Sequence, residues 1–188
     1  MDLRCFFEQF NGKLIELKNE DGFLDKYENS REWTRFIKKE VLTKILGKEG
    51  YGYYPEYFDI DHTWWESKKD KRDQTIKKVW LREWEFKIAI EHENDLRDWT
   101  YEVEKLDSII CPLRIVIGYM PKGEREKEKA IVEEQRKKMK NLGTVSGEFG
   151  VILLNNSLKE DKEDPFNMKC YLLTEQGTKE LYTGEWRG

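Results

Sequence analysis

The chain is poor in the features that would commit it to export, to a membrane or to a structural metal. Its three cysteines, Cys5, Cys111 and Cys170, are far apart and form no CxxC pair. That argues against a zinc site or a disulfide framework, and each reads as a small core residue among apolar neighbours. No basic stretch followed by an apolar run opens the sequence, and no segment approaches the ~18 apolar residues of a membrane span. A cytoplasmic protein is therefore expected. The segment Gly143-Thr-Val-Ser-Gly147 lacks the lysine and the spacing of a P-loop. Histidine occurs only at 62 and 92, in no Ser-His-Asp or Cys-His order. Nor does one sign of charge dominate: 34 basic residues oppose 38 acidic ones, a net charge of −4. This balance does not advertise a nucleic-acid binder, yet it leaves room for a local basic patch.

Aromatic and charged side chains are plentiful instead. Seven tryptophans, nine tyrosines and nine phenylalanines can fill the core of one domain of 188 residues. Charged residues make up 38% of the chain, both signs interspersed, as on a surface rich in ion pairs. Leu3, Phe6, Phe7, Phe10, Leu14 and Leu17 recur at helical spacing between Asp2 and Lys18. A second helix starts at Asn29, a capping residue with Glu32 three positions on, and carries the stripe Trp33, Phe36, Ile37, Val41 and Ile45.

The period then changes from helix to strand. From Tyr57 to Trp65, Phe58, Ile60, His62 and Trp64 fall on one face, and Asp59, Asp61 and Thr63 on the other. Phe58 and Ile60 are expected to be buried. A basic stretch from Ser67 to Lys78 reads as a loop or hairpin tip. Trp84 to Glu93 is a second strand, with Phe86, Ile88 and Ile90 on one face and Lys87, Ala89, Glu91 and Glu93 on the other. Asp95 to Ile110 follows as a helix with a buried stripe of Leu96, Trp99, Val103, Leu106 and Ile110, closed by Pro112. Leu113 to Tyr119 is an almost unbroken apolar run, the mark of a strand covered on both faces. A charged helix, Glu124 to Asn141, and two strands, Gly150 to Leu154 and Cys170 to Thr174, complete the chain, with an acidic loop from Lys159 to Asp164 between those strands. The order is α, α, β, β, α, β, α, β, β. The fold class is α/β, a mixed central sheet flanked by helices, with a parallel pair in its middle. His62 and His92 face the apolar side and read as packed histidines, and Trp64, Trp65, Trp80, Trp84 and Trp99 as core.

The chemistry lies in the acidic doublets. Residues i and i+2 of a strand share a face about 6.5–7 Å apart, so Asp59 and Asp61 form one doublet and Glu91 and Glu93 another. Paired strands would bring the doublets together as oxygen ligands for a hard cation such as Mg2+ or Mn2+. A solvated outer face is the plainer reading of the same pattern. One other register competes: Glu85-Phe86-Lys87 is itself an E-x-K, and a hairpin centred near Arg72 would set it opposite Asp61.

The segments 58–65, 88–94, 99–106 and 113–119 resemble the PD-(D/E)xK nuclease superfamily, with its restriction-endonuclease-like αβββαβ core. The resemblance covers about residues 29–119. It implies one nuclease-like domain over 1–188, with 120–188 as a C-terminal helix and sheet extension. It further implies a metal-dependent nuclease that hydrolyses phosphodiester bonds of DNA or RNA. Asp61 or Asp59 would be the metal-bridging aspartate and Glu91 the next acidic ligand. Glu93 stands where a lysine is usual, and Glu32 resembles the accessory acid on the preceding helix. Lys87 on the same strand, or Lys105 on the next helix, would supply the missing amine, while Glu93 would serve as general base. Lys68, Lys69, Lys71, Arg72, Lys77 and Lys78 would hold phosphates. A homodimer is the family's common state. The absent lysine also fits a rival reading, a non-catalytic binding module on the same fold.

Overall fold

Seven strands form one mixed sheet whose spatial order, β1 to β7, is the order of the chain. The computed structural model describes residues 1–18, 29–68, 83–93, 99–120, 125–155 and 168–184, with 20, 22, 23 and 26. The strands are β1 (Gly52–Tyr57), β2 (Ile60–Ser67), β3 (Trp84–His92), β4 (Leu113–Met120), β5 (Glu148–Asn155), β6 (Met168–Thr174) and β7 (Gly177–Gly184). β1, β2 and β3 pair antiparallel, β3–β4 and β4–β5 parallel, and β5, β6 and β7 antiparallel. The helices are α1 (Leu3–Leu17), α2 (Ser30–Phe36), a π-helical stretch Ile37–Leu42, α3 (Thr43–Lys48), α4 (Trp99–Asp107) and α5 (Glu128–Lys138). The α/β class and the mixed sheet expected from the sequence are both present. The region 120–188 extends the same sheet, because β5 lies beside β4 over its whole length.

Two apolar layers sandwich the sheet. On one face, Phe6 and Phe10 of α1 and Trp33, Ile37 and Val41 of the second helical segment cover Ile88, Ile90, Ile115 and Ile117. On the other, Trp99, Val103 and Leu106 of α4 and Val132 of α5 cover Ala89, Val116 and Val151. α1 starts where Asp2 accepts the Cys5 N–H at 2.7 Å, and α2 where Asn29 Oδ1 accepts from Arg31 and Glu32. Ile37, the adjacent Val41 and Leu42, and Leu46 all face inward, and the wider π turn keeps the neighbouring pair Val41 and Leu42 buried together. α1 approaches β5 closely at Gly150, where an added Cβ would fall 2.2 Å from a Leu3 methyl. β4 is buried along its whole length, Arg114 included, as its apolar run predicts.

Several expectations change. β1 and β7 are additional strands. β1 contains Pro55, which an edge strand tolerates, and β7 is largely polar. Phe58 is not part of a buried strand face. With Asp59 it forms a two-residue turn, both at positive φ (53° and 59°), between the paired residues Tyr57 and Ile60, and Phe58 is 72% exposed. Ile110 is exposed rather than on a helix stripe, because α4 already ends at Asp107. There the Asp107 carboxylate accepts the N–H groups of Lys140 and Asn141 at 2.7 and 2.9 Å. α5 is shorter than expected, preceded by a 3-10 turn at Arg125–Lys127. Leu96, Trp80 and the loop 159–164 lie outside the described residues.

The Phe58–Asp59 turn is where the backbone is strained. A left-handed conformation costs a non-glycine residue roughly 1–2 kcal/mol, least for Asn and Asp. Phe58→Asn is therefore expected to stabilise the protein by about 1 kcal/mol. It should appear as a higher urea midpoint at unchanged slope. A lower midpoint would mean that the ring's T-shaped contact with Tyr57, at 4.5 Å, outweighs the backbone relief.

Candidate functional site

The register of the β2–β3 hairpin decides which acidic residues meet. His62 pairs with Ile90 and Thr63 with Ala89, so Asp61 faces Glu91 one step further along. A β-bulge at Trp64/Trp65 lets both tryptophans be buried. The alternative E-x-K register is not the one formed. Glu85 pairs with Glu66, and Lys87 is taken up there, 2.8 Å from Glu85 and 3.1 Å from Glu66. Its bond to Glu85, with Glu66 adding, holds Lys87 above the usual lysine range.

Asp61 and Glu91 are locked by each other's strands. The Asp61 N–H donates to Glu91 Oε2 at 3.3 Å, and the His92 N–H donates to Asp61 Oδ2 at 3.0 Å. Asp61 is exposed, whereas Glu91 is 1% exposed. Lys105 reaches in from α4. Its Nζ lies 2.7 Å from Glu91 Oε1, 2.5 Å from Glu102 Oε2 and 2.7 Å from the backbone oxygen of Asp59. The left-handed turn thus contributes a carbonyl, while the Asp59 residue itself is exposed.

Burial pushes the Glu91 carboxyl well above the carboxylate range; the bond to Lys105 opposes this, and the charges of Asp61 and Glu102 add to it. Burial works to lower Lys105, but its bonds to Glu102 and Glu91 outweigh that and hold it above its usual range. The donor oxygens are of the hard type that divalent cations prefer, but Lys105 already occupies Glu91 Oε1, so a cation would have to compete with its ammonium there.

The set differs from the one expected. Among the described residues, no three His, Cys, Asp or Glu side chains gather as a group able to hold a metal ion. Asp59 falls in the turn rather than on the strand. Glu93 lies just past β3, half-buried, its N–H donating to Ile117 O at 2.9 Å. What is assembled is Asp61–Glu91 with Lys105. Of the basic stretch, Lys68 is described and exposed, its N–H donating to Glu83 O; Lys69, Lys71, Arg72, Lys77 and Lys78 lie outside the described residues.

Two features of the site escaped the sequence reading. Glu102, the second carboxylate on Lys105, sits three residues after Trp99 and four before Leu106, so helical spacing placed it beside the buried stripe. Behind Asp61, Trp33 Nε1 donates to the Tyr119 hydroxyl at 2.5 Å, and that hydroxyl meets His92 Nε2 at 2.6 Å. This chain of contacts ties α2 and β4 to the residue whose N–H holds Asp61. Burial, with His62 adding, lowers His92 to about 3; burial, with Lys38 adding, does the same to His62. Both histidines are packed and neutral, as their side of the strand predicted.

Beside this pair an open groove of about 580 Å³ runs along α2 and the π turn, with Asp61 and His62 at one wall. Two other concavities, one beside α2 and one between α1 and α3, lie away from the carboxylates. Comparison with protein-family models, with curated proteins and with solved structures gave no match. No helix among the described residues is long and apolar enough to cross a membrane.

Proposed function

We propose that the protein is a metal-dependent nuclease-like enzyme that hydrolyses phosphodiester bonds, built on a restriction-endonuclease-like core at about residues 29–119. The observation that carries this reading is the Asp61–Glu91 pair with the Lys105 ammonium against it. The element order supports it too: a helix, the antiparallel β1–β2–β3, then α4 leading into the parallel β4. Asp61 and Glu91 would hold Mg2+ or Mn2+, since Mg2+ is commonly bound by one or two carboxylates, with water and phosphate oxygens completing its shell. A bound ion supplies Lewis-acid chemistry, polarising the phosphodiester and acidifying a coordinated water. Lys105 takes the place of the lysine absent at position 93. It orients the attacking water and balances charge on the phosphate. Glu93 is the candidate general base beyond the strand end.

The test is incubation with circular and linear DNA and with RNA in Mg2+ or Mn2+. Cutting is expected from the native protein. Asp61→Asn is expected to abolish it, and Lys105→Gln to slow it by about 10²–10⁴. Cutting that survives Asp61→Asn rejects the site. Nucleic-acid binding with no cutting under any condition favours the binding-module reading, which Glu93 in the lysine position already suggests.

A further inference from the structure

The groove beside Asp61 is basic in a chain whose net charge is −4. Arg31, Arg35, Lys38 and Lys39 line it, against the single acid Asp61. No ion pair with a carboxylate engages these four cations among the described residues. Lys38 Nζ lies instead 5.0 Å over the Tyr53 ring. From Arg31 to Lys38 they span about 10 Å along the helix axis, at ~1.5 Å per residue. That is roughly three nucleotide steps of a duplex strand.

A second observation points to a ligand in the same place. His62 lines the groove and is 3% exposed, yet neither ring nitrogen has a hydrogen-bond partner among the described residues. The Asp61 main chain lies beside the ring without making a well-formed bond to it. Buried polar groups are rarely left this way. A neutral imidazole has one N–H to donate, and a phosphate oxygen would accept it.

We infer that this groove is the track for the sugar-phosphate backbone of a nucleic acid, with the cations of α2 and the π turn holding successive phosphates and His62 donating to one of them. The inference rests on the proposed function for its polarity: a chain lying along α2 would run directly onto Asp61. An acidic polypeptide would also be drawn to the cations, but nothing about a polypeptide would make use of the neighbouring carboxylate pair.

Binding separates this claim from cleavage. Fluorescence anisotropy with a labelled duplex DNA, and with the same sequence as RNA, would be measured in EDTA from 50 to 200 mM salt. The paired variant Arg31→Gln/Arg35→Gln is expected to bind at least tenfold more weakly at 50 mM salt. Its plot of log affinity against log salt should be shallower by about 2. The same charge change at Lys44→Gln/Lys48→Gln, on α3 at the other concavity, is expected to alter neither quantity, and circular dichroism would establish that both variants fold. An unchanged slope in Arg31→Gln/Arg35→Gln would overturn the track. So would polyglutamate competing as well as DNA of equal charge, since an acidic protein would then be the partner. A native protein that binds with this slope but never cuts leaves the track standing and defeats the nuclease reading alone.

Discussion

Glu91→Gln is expected to stabilise the protein at pH 8 while removing its proposed catalysis. Burial lifts the folded pKa of this carboxyl above its unfolded value. A raised acid favours the fold in its protonated form. That contribution is complete below the ordinary carboxylate pKa and is lost as the pH climbs towards the folded value. Above the ordinary carboxylate range the native protein must therefore keep this carboxyl protonated or bury its charge, a cost that Lys105 only partly offsets. Glutamine keeps an oxygen for the Asp61 N–H and carries no charge, and Lys105 keeps Glu102. The expected gain is about 1–2 kcal/mol at pH 8, shrinking towards zero at pH 4. Urea unfolding at the two pH values reads it. Phosphodiester cleavage should fall by about a thousandfold in the same variant. A variant that is less stable at pH 8 and still cuts would show Glu91 to be structural.

Acid is expected to destabilise the native protein by several kcal/mol between pH 7 and pH 4. Burial lowers both His62 and His92 from 6.5 to about 3. As the pH drops below 6.5 the unfolded chain takes up two protons that the folded chain refuses. The stability these residues support is thus complete above 6.5 and is lost progressively down to about 3. Each histidine removes about 1.4 kcal/mol per pH unit within that window. Glu91 opposes the trend, because its raised pKa favours the fold in acid. Urea midpoints at pH 7.5, 6, 5 and 4 would trace the loss. His92→Gln weakens the fold outright by breaking the contact with Tyr119, yet it should take one histidine's share, about 1.4 kcal/mol per pH unit, out of the slope between pH 6.5 and about 3. Equal native midpoints at pH 6 and 4, where the two histidines outweigh Glu91, would contradict the assignment of both histidines as buried and neutral.

Strongly periodic segments were legible in the sequence. Trp33, Phe36, Ile37, Val41 and Ile45 are all buried, as their spacing implied, and Asn29 caps the helix it was read to cap. The choice of Glu91 over Glu85 followed from burying Ile88 and Ile90, but which of Asp59 and Asp61 meets it depended on the hairpin register. Alternation misled at its ends. Phe58 and Asp59 continue the pattern of β2, but the chain turns there, and hydropathy carries no record of φ. Neither residue is the asparagine or glycine that usually marks such a turn. β1 and β7 were invisible because an edge strand with a proline and a mostly polar hairpin arm lack the apolar alternation that a half-buried strand displays. The site was half legible. Lys105 was a candidate only through the family resemblance, which implies a lysine supplied from the helix after the acidic strand. Its second partner Glu102, the Trp33–Tyr119–His92 contacts and the unpaired ring of His62 depend on how separate elements pack. Arg114, fully buried within an apolar strand, is equally a product of packing, with its guanidinium 5.4 Å from the Phe149 ring.

The most direct measurement is calorimetric titration of the native protein with Mn2+ at pH 7.5, repeated for Asp61→Asn, Glu91→Gln and Asp59→Asn. One ion is expected to bind the native protein and Asp59→Asn alike, because only the backbone oxygen of Asp59 faces Lys105. Binding should vanish in both Asp61→Asn and Glu91→Gln. Equal Mn2+ affinity in all four proteins, or no binding to any, would contradict the claim that Asp61 and Glu91 form a divalent-cation site.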